Sequence, residues 1–300
     1  MLPGLAELQS YTTAHGIEAA TRWFYQAAVE SEACRAFVLL LDGVATSTGD
    51  ERGSRVAGAR TTLQTPRILV VPAFFHRERP QYGGDGRFVV AAAQAAGLVA
   101  QVAQTHSRGG VSENVPLVWQ ALAACPDQPT WLVSLSQGGA EVRRLLAVHA
   151  GEPELANLRG WVNIGGLVRG SHWIDALLGD SFHRMSVRAG CRALGISYEG
   201  LRELCTDHPL WYGPMEVPAH VTVVNLLAVP LLEHVHPRIK GRYRQMASVG
   251  PNDGMVVLSE ALVRPGWIYP VWGTDHFFQG AGVQPLLDRL FRWIRADVRL

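Results

Sequence analysis

Apolar and polar positions along this chain come in blocks, and the blocks change character near residue 67. RILVVPAFF (Arg67–Phe75) is a continuous apolar run after its arginine, which predicts a strand covered on both faces. RFVVAAAQAAG (Arg87–Gly97) suits a helix closed by glycine. LVAQVAQT (Leu98–Thr105) reads as a strand. SENVPLVWQALAAC (Ser112–Cys125) reads as a helix, with Ser112 as its cap and a proline in its early part. TWLVS (Thr130–Ser134) is the next strand. The helix AEVRRLLAVHA (Ala140–Ala150) follows, with Val142, Leu145, Leu146 and His149 on one stripe. Further strands are expected at Gly160–Gly166, Val221–Val229 and Trp267–Gly273. A last helix turns Leu286, Leu287, Leu290, Phe291 and Ile294 inward.

Alternating apolar strands and amphipathic helices predict an α/β fold, a mostly parallel sheet of about six strands flanked by helices. In such sheets, functional groups collect beyond the carboxyl ends of the strands. Two regions lie outside this rhythm. Residues 1–66 are expected to form a mostly helical N-terminal segment packed on the core, since Ile17, Ala20, Trp23, Phe24 and Ala27 recur at helical spacing. Within that segment, Thr46–Gly58 is polar and glycine-rich, as in a loop. Residues 171–218 hold helix-like pieces between two predicted strands. This apolar, aromatic-bearing stretch is expected to cover the functional edge as a cap or lid within a 67–300 domain. An insertion placed away from the site is the alternative.

Composition narrows the function without naming it. The chain has 300 residues, 48% hydrophobic, with a formal net charge of +1. That supports a large buried core, and no global field would draw in nucleic acid. No apolar run reaches the ~20 residues that span a bilayer, so no integral membrane segment is expected. Met1–Ser10 lacks the basic start and apolar run of a signal peptide, which points to a cytoplasmic location. Cys34, Cys125, Cys191 and Cys205 form no C-x-x-C pair. A bridge between Cys191 and Cys205 is open, but four free thiols fit a chain without an export signal. Glu233, His234 and His236 lack a further ligand at useful spacing, so no metal is expected.

The candidate chemistry begins at WLVSLSQGG (Trp131–Gly139). A serine on a tight strand-to-helix turn is pushed outward, over the amide end of the following helix. Small residues are needed two before and two after it, where the backbones approach. Ser134 and Gly138 meet that need around Ser136. In this architecture an acid and then a histidine follow in chain order. Asp253 in PNDGMV and His276 in GTDHFF lie in that order, after successive predicted strands. Backbone N–H groups of Gln137 and Phe74, with Phe75 next in line, would form an oxyanion hole.

The chain resembles the α/β-hydrolases, and more narrowly the bacterial triacylglycerol lipases and esterases. Their G-H-S-Q-G-G elbow is similar to Ser134-Leu135-Ser136-Gln137-Gly138-Gly139. Their N-D-G-hydrophobic-V is similar to Asn252-Asp253-Gly254-Met255-Val256. Their T-P-H-R-G-S is similar to Gly166-Leu167-Val168-Arg169-Gly170-Ser171. Leu135 stands where the elbow carries His, and Pro72-Ala73 where the oxyanion strand carries His-Gly. The likeness spans residues 67–295. It implies hydrolysis of a small-molecule or lipid ester by Ser136, Asp253 and His276, without a cofactor. Such lipases often hold a structural calcium, but no acidic cluster for one is evident. An acyltransferase on the same scaffold and a non-catalytic binding protein are the alternatives. The oligomeric state is open.

Overall fold

The computed structural model of the protein describes residues 2–47 and 64–296. Six strands form one sheet: β1 (Arg67–Val71), β2 (Val99–Val102), β3 (Thr130–Leu135), β4 (Leu158–Ile164), β5 (Thr222–Val229) and β6 (Trp267–Trp272). Their spatial order is β2-β1-β3-β4-β5-β6, and every neighbouring pair is parallel. The order reverses between β1 and β3, where doubly wound sheets open a crevice at their carboxyl edge. Eleven α-helices are described. They are α1 (Leu5–His15), α2 (Ile17–Glu30), α3 (Glu32–Ser47), α4 (Arg87–Ala95), α5 (Val111–Ala123), α6 (Gln137–Val148), α7 (His172–Leu177), α8 (Ser181–Leu194), α9 (Tyr198–Arg202), α10 (Lys240–Met246) and α11 (Val283–Ala296). This is the α/β-hydrolase fold.

Side chains of a strand alternate between faces, so each central strand feeds two cores. Ile68, Val70, Val133 and Val162 share one cluster with Phe37 of α3, Val89 of α4 and Leu287 of α11. Leu69, Val71, Leu132 and Trp161 share the other with Val115 of α5 and Leu145 of α6. The five inward residues expected of the last helix are all buried. Among the N-terminal helices, α2 and α3 pack against β6, with the Phe37 ring 6.5 Å from Trp267 and the Tyr25 ring 4.8 Å from Trp272. That packing covers the edge strand of the sheet, whose open backbone is a liability when bare.

Several expected boundaries move. The run Arg67–Phe75 is a strand only to Val71, because Pro72 and the turn behind it carry the chain off the sheet. Helix α5 is capped at Gly110, not Ser112, and Glu113 reaches back to accept from the Gly110 N–H at 3.2 Å. Pro116 sits inside that helix. Thr46 and Ser47 end α3 as helix, and the remainder of the expected loop Thr46–Gly58 lies outside the described residues.

Two buried asparagines anchor the long connection between α10 and β6. Asn163 in β4 donates to Ala261 O at 2.8 Å. Asn225 in β5 donates to Val263 O at 3.0 Å and accepts from the Val263 N–H at 2.9 Å. Neither is exposed. A buried amide must find partners, and these two find them in the connection that carries Asp253.

Candidate active site

The turn from β3 into α6 is forced by close packing. Ser136 has φ 52° and ψ −117°, a strained conformation for a residue with a Cβ. It is held by its own backbone: the N–H donates to Ile164 O at 3.2 Å, and the carbonyl accepts from Gly139 and Leu167 N–H at 3.0 Å each. A Cβ on Gly138 would lie 2.4 Å from Val71 O, and one on Gly139 would lie 2.8 Å from Gly166 Cα. Only glycine lets α6 approach β1 and β4 this closely. Ser134 is fully buried, and its Oγ accepts from the Trp161 indole at 2.8 Å. Of the two serines, only Ser136 faces the cavity.

His276 follows β6, and its ring joins the other two residues expected at the site. Nε2 lies 2.8 Å from Ser136 Oγ, and Nδ1 lies 2.7 Å from Asp253 Oδ2. The side chains of His276 and Asp253 are only 6% and 2% exposed. Asp253 Oδ1 accepts from Met255 N–H at 2.9 Å and Val256 N–H at 2.8 Å, so both carboxylate oxygens are engaged. Gly254 permits the turn with φ 100°. Asp275, next to His276 in sequence, faces away. Its oxygens accept from His236 N–H at 2.7 Å and Phe277 N–H at 3.1 Å.

Neither the Phe74 N–H nor the Gln137 N–H has a hydrogen-bond partner among the described residues, and both residues line the cavity with Ser136 and His276. Phe75 differs: its N–H donates to Ser107 O at 2.7 Å, and its φ is 59°. That twist turns the chain after β1, and His76 braces it with Nδ1 2.9 Å from Ala73 O.

Behind the turn lies a polar network that the sequence did not suggest. Gln137 Nε2 donates to Gly109 O and to Glu141 Oε1, both at 3.0 Å, and Asn114 Nδ2 donates to Glu141 Oε1 at 2.8 Å. Burial pushes the Glu141 carboxyl up to about 8, against the pull of those two donors. A glutamate one helical turn after Gln137 was the available signal.

The site opens into a cavity of about 860 Å³. Leu177, Val187, Leu194, Ile196, Leu201 and Leu204, all from the stretch between β4 and β5, line one side. Arg143, buried in α6, ties that stretch down by donating to Val168 O at 2.5 Å and Trp211 O at 3.0 Å. All four cysteines are free thiols. Asp175, Cys205 and Asp207 bring ligand atoms within 4.8 Å of one another, a grouping the sequence did not reveal. It fits a metal poorly. Asp175 is engaged by Thr206 N–H at 2.8 Å and Thr206 Oγ1 at 2.7 Å, and burial first among causes pushes the Cys205 thiol up to about 11. His234 and His236 each spend Nδ1 on a backbone N–H, of Leu231 and Arg238.

Comparison with solved structures shows where this architecture recurs. A metagenomic carboxyl esterase is similar with a TM-score of 0.60 and 18% identity, over 82% of this chain and 80% of that one. The mature lipase of Bacillus licheniformis gives 0.55 and 16%, over 80% and 96%. EstA of Clostridium botulinum gives 0.53 and 12%, over 81% and 89%. At such identities the likeness is one of fold. No protein-family model matches the sequence, and no curated protein sequence matches it. Among the described residues, no helix is long and apolar enough to cross a membrane.

Proposed function

We propose that this protein is a carboxylic ester hydrolase working through an acyl-enzyme on Ser136. The observation that carries the reading is the line Ser136, His276, Asp253, joined at 2.8 and 2.7 Å beside a largely apolar cavity. The esterase and lipase folds it resembles support the same class.

Ser136 Oγ attacks the ester carbonyl while His276 Nε2 takes its proton. Asp253 accepts the Nδ1 hydrogen bond, which keeps the tautomer correct and stabilises the imidazolium. Negative charge forms on the carbonyl oxygen, and the N–H groups of Phe74 and Gln137 receive it at the amide end of α6. The tetrahedral intermediate collapses, and His276 protonates the departing alcohol. Water then attacks the acyl-enzyme by the same route in reverse, releasing the acid and restoring Ser136. The segment 171–218 acts as the cap over the acyl group.

The test is a panel of p-nitrophenyl esters of graded chain length with wild type and Ser136→Ala. The variant is expected to lose on the order of 10³-fold or more in kcat on every ester. Wild-type activity that survives the substitution would refute the assignment.

A further inference from the structure

The cavity has a charge that ester hydrolysis alone does not use. Arg79, Arg108, Arg238 and Arg242 line it, against a single acidic residue, Glu78. Glu78 is taken: Arg108 Nε lies 2.8 Å from its Oε1, and Ser107 Oγ donates to its Oε2 at 2.5 Å. The carboxylates behind the wall are also engaged. Asp275 is spent on backbone N–H groups, and Asp253 on backbone N–H groups and His276. Among the described residues, no carboxylate forms an ion pair with Arg79, Arg238 or Arg242.

Two of these arginines are held in place by aromatic faces rather than by acids. The Arg242 guanidinium lies 4.0 Å from the Trp173 ring centroid, and its Nη1 donates to Met255 Sδ at 2.9 Å. Sulfur is a weak acceptor, and a guanidinium has five N–H donors. Arg238 lies over Tyr82 at 5.7 Å, and Tyr82 stacks on Phe277 at 4.5 Å. Phe277 is the residue after His276. Arg238 therefore stands on the His276 side of the cavity, and Arg242 stands beside Met255, two residues after Asp253. Burial, and next the like charge of Arg238, pull the Arg242 pKa down. Arg242 is half-buried and Arg238 exposed, and a half-buried cation without a carboxylate partner is costly unless an anion completes it.

We propose that the substrate is an ester with an apolar acyl chain and a phosphate on its alcohol half, and that Arg238 and Arg242 hold the phosphate. The proposal rests on the ester hydrolase reading above. The acyl chain lies along Leu177, Leu194 and Leu201, and the scissile carbonyl sits at Ser136. The alcohol half extends toward Tyr82 and Trp173. Guanidinium groups match phosphate oxygens with paired N–H donors. Two guanidinium groups lining one cavity suit a dianion better than a monoanionic carboxylate. Arg79 adds to the same field.

The experiment compares kcat/KM for 1-decanoylglycerol 3-phosphate, 1-decanoylglycerol and decanoyl lactate, which carries a carboxylate instead. Wild type is expected to favour the phosphate ester over the glycerol ester by on the order of 10- to 100-fold. Arg238→Gln with Arg242→Gln brings that ratio near one, and Lys at both positions restores part of it. A second arm needs no turnover: calorimetric titration of Ser136→Ala protein with octyl phosphate and with octanol. Octyl phosphate is expected to bind more tightly, and the double Gln variant to lose the difference. A wild-type ratio near one, an equal loss on both esters in the Gln variant, or a preference for decanoyl lactate overturns the proposal. Hydrolysis of esters without Arg-dependent binding of octyl phosphate overturns the phosphate site alone. Arg-dependent binding without turnover of any ester supports the site and overturns the hydrolase reading.

Discussion

The turn at Ser136 and the stretch between β4 and β5 line one cavity, and they are built differently. At the turn, position is set by backbone. Gly138 and Gly139 admit no side chain, Ser134 is locked under Trp161, and Asn163 and Asn225 fix the connection that holds Asp253. The stretch between β4 and β5 carries helices α7, α8 and α9, whose large apolar side chains are divided between cavity and solvent. Phe182 is 73% exposed and Met185 70%. Reacting atoms need sub-ångström placement, which close-packed backbone supplies. Chain-length preference needs only a wall of suitable volume, and side chains on partly exposed helices can supply that.

The sharpest way to break this contrast is at the acid. Asp253→Asn should lower ester kcat by on the order of 10²- to 10⁴-fold with the fold intact by circular dichroism. Asp275→Asn, which disturbs only the N–H contacts of His236 and Phe277, should cost about tenfold. A reversal of the two would mean that the loop, not the packed connection, supplies the acid.

A second measurement probes the rigid side through Glu141. Its folded pKa is raised to about 8 by burial. Below the ordinary glutamate value it is protonated folded and unfolded alike. From there to about pH 8 the folded protein keeps a proton that the unfolded chain has released, so stability falls as pH rises. The slope is at most about 1.4 kcal/mol per pH unit, and it vanishes above the folded value. Urea midpoints from pH 5 to 9 should therefore decline less steeply in Glu141→Gln than in wild type. Parallel curves would show that Glu141 titrates normally.

The smallest effect is expected on the wall that the stretch between β4 and β5 supplies. Enlarging Leu177 or Leu201 to Trp should shift chain-length preference across p-nitrophenyl esters by about tenfold, a difference of ~1.4 kcal/mol, with little change in melting temperature. A uniform loss on all esters would place these residues in the rigid machinery instead.

The sequence carried the strand-helix alternation because each element buries one face or two, and burial writes itself into local pattern. Ser136, Asp253 and His276 were singled out because each follows a strand in chain order, with glycine or a turn beside it. The end of β1 was not, since Pro72 to Phe75 stay apolar after leaving the sheet: they line the cavity or turn beneath it. Asn163 and Asn225 are polar residues in apolar strands, but the partners that explain them lie 98 and 38 residues away. Arg238 and Arg242 gave no local signal at all. Their meaning depends on Trp173, Tyr82 and the lack, among the described residues, of a carboxylate paired with them, which only the folded chain reveals.

The central claim is that Ser136, and not Ser134, is the reactive group. Treat the protein with a fluorophosphonate and map the adduct by peptide mass spectrometry. The predicted result is a single adduct on Ser136, absent in Ser136→Ala and much slower to form in His276→Ala. An adduct on Ser134, or none on the wild-type protein, would contradict the account.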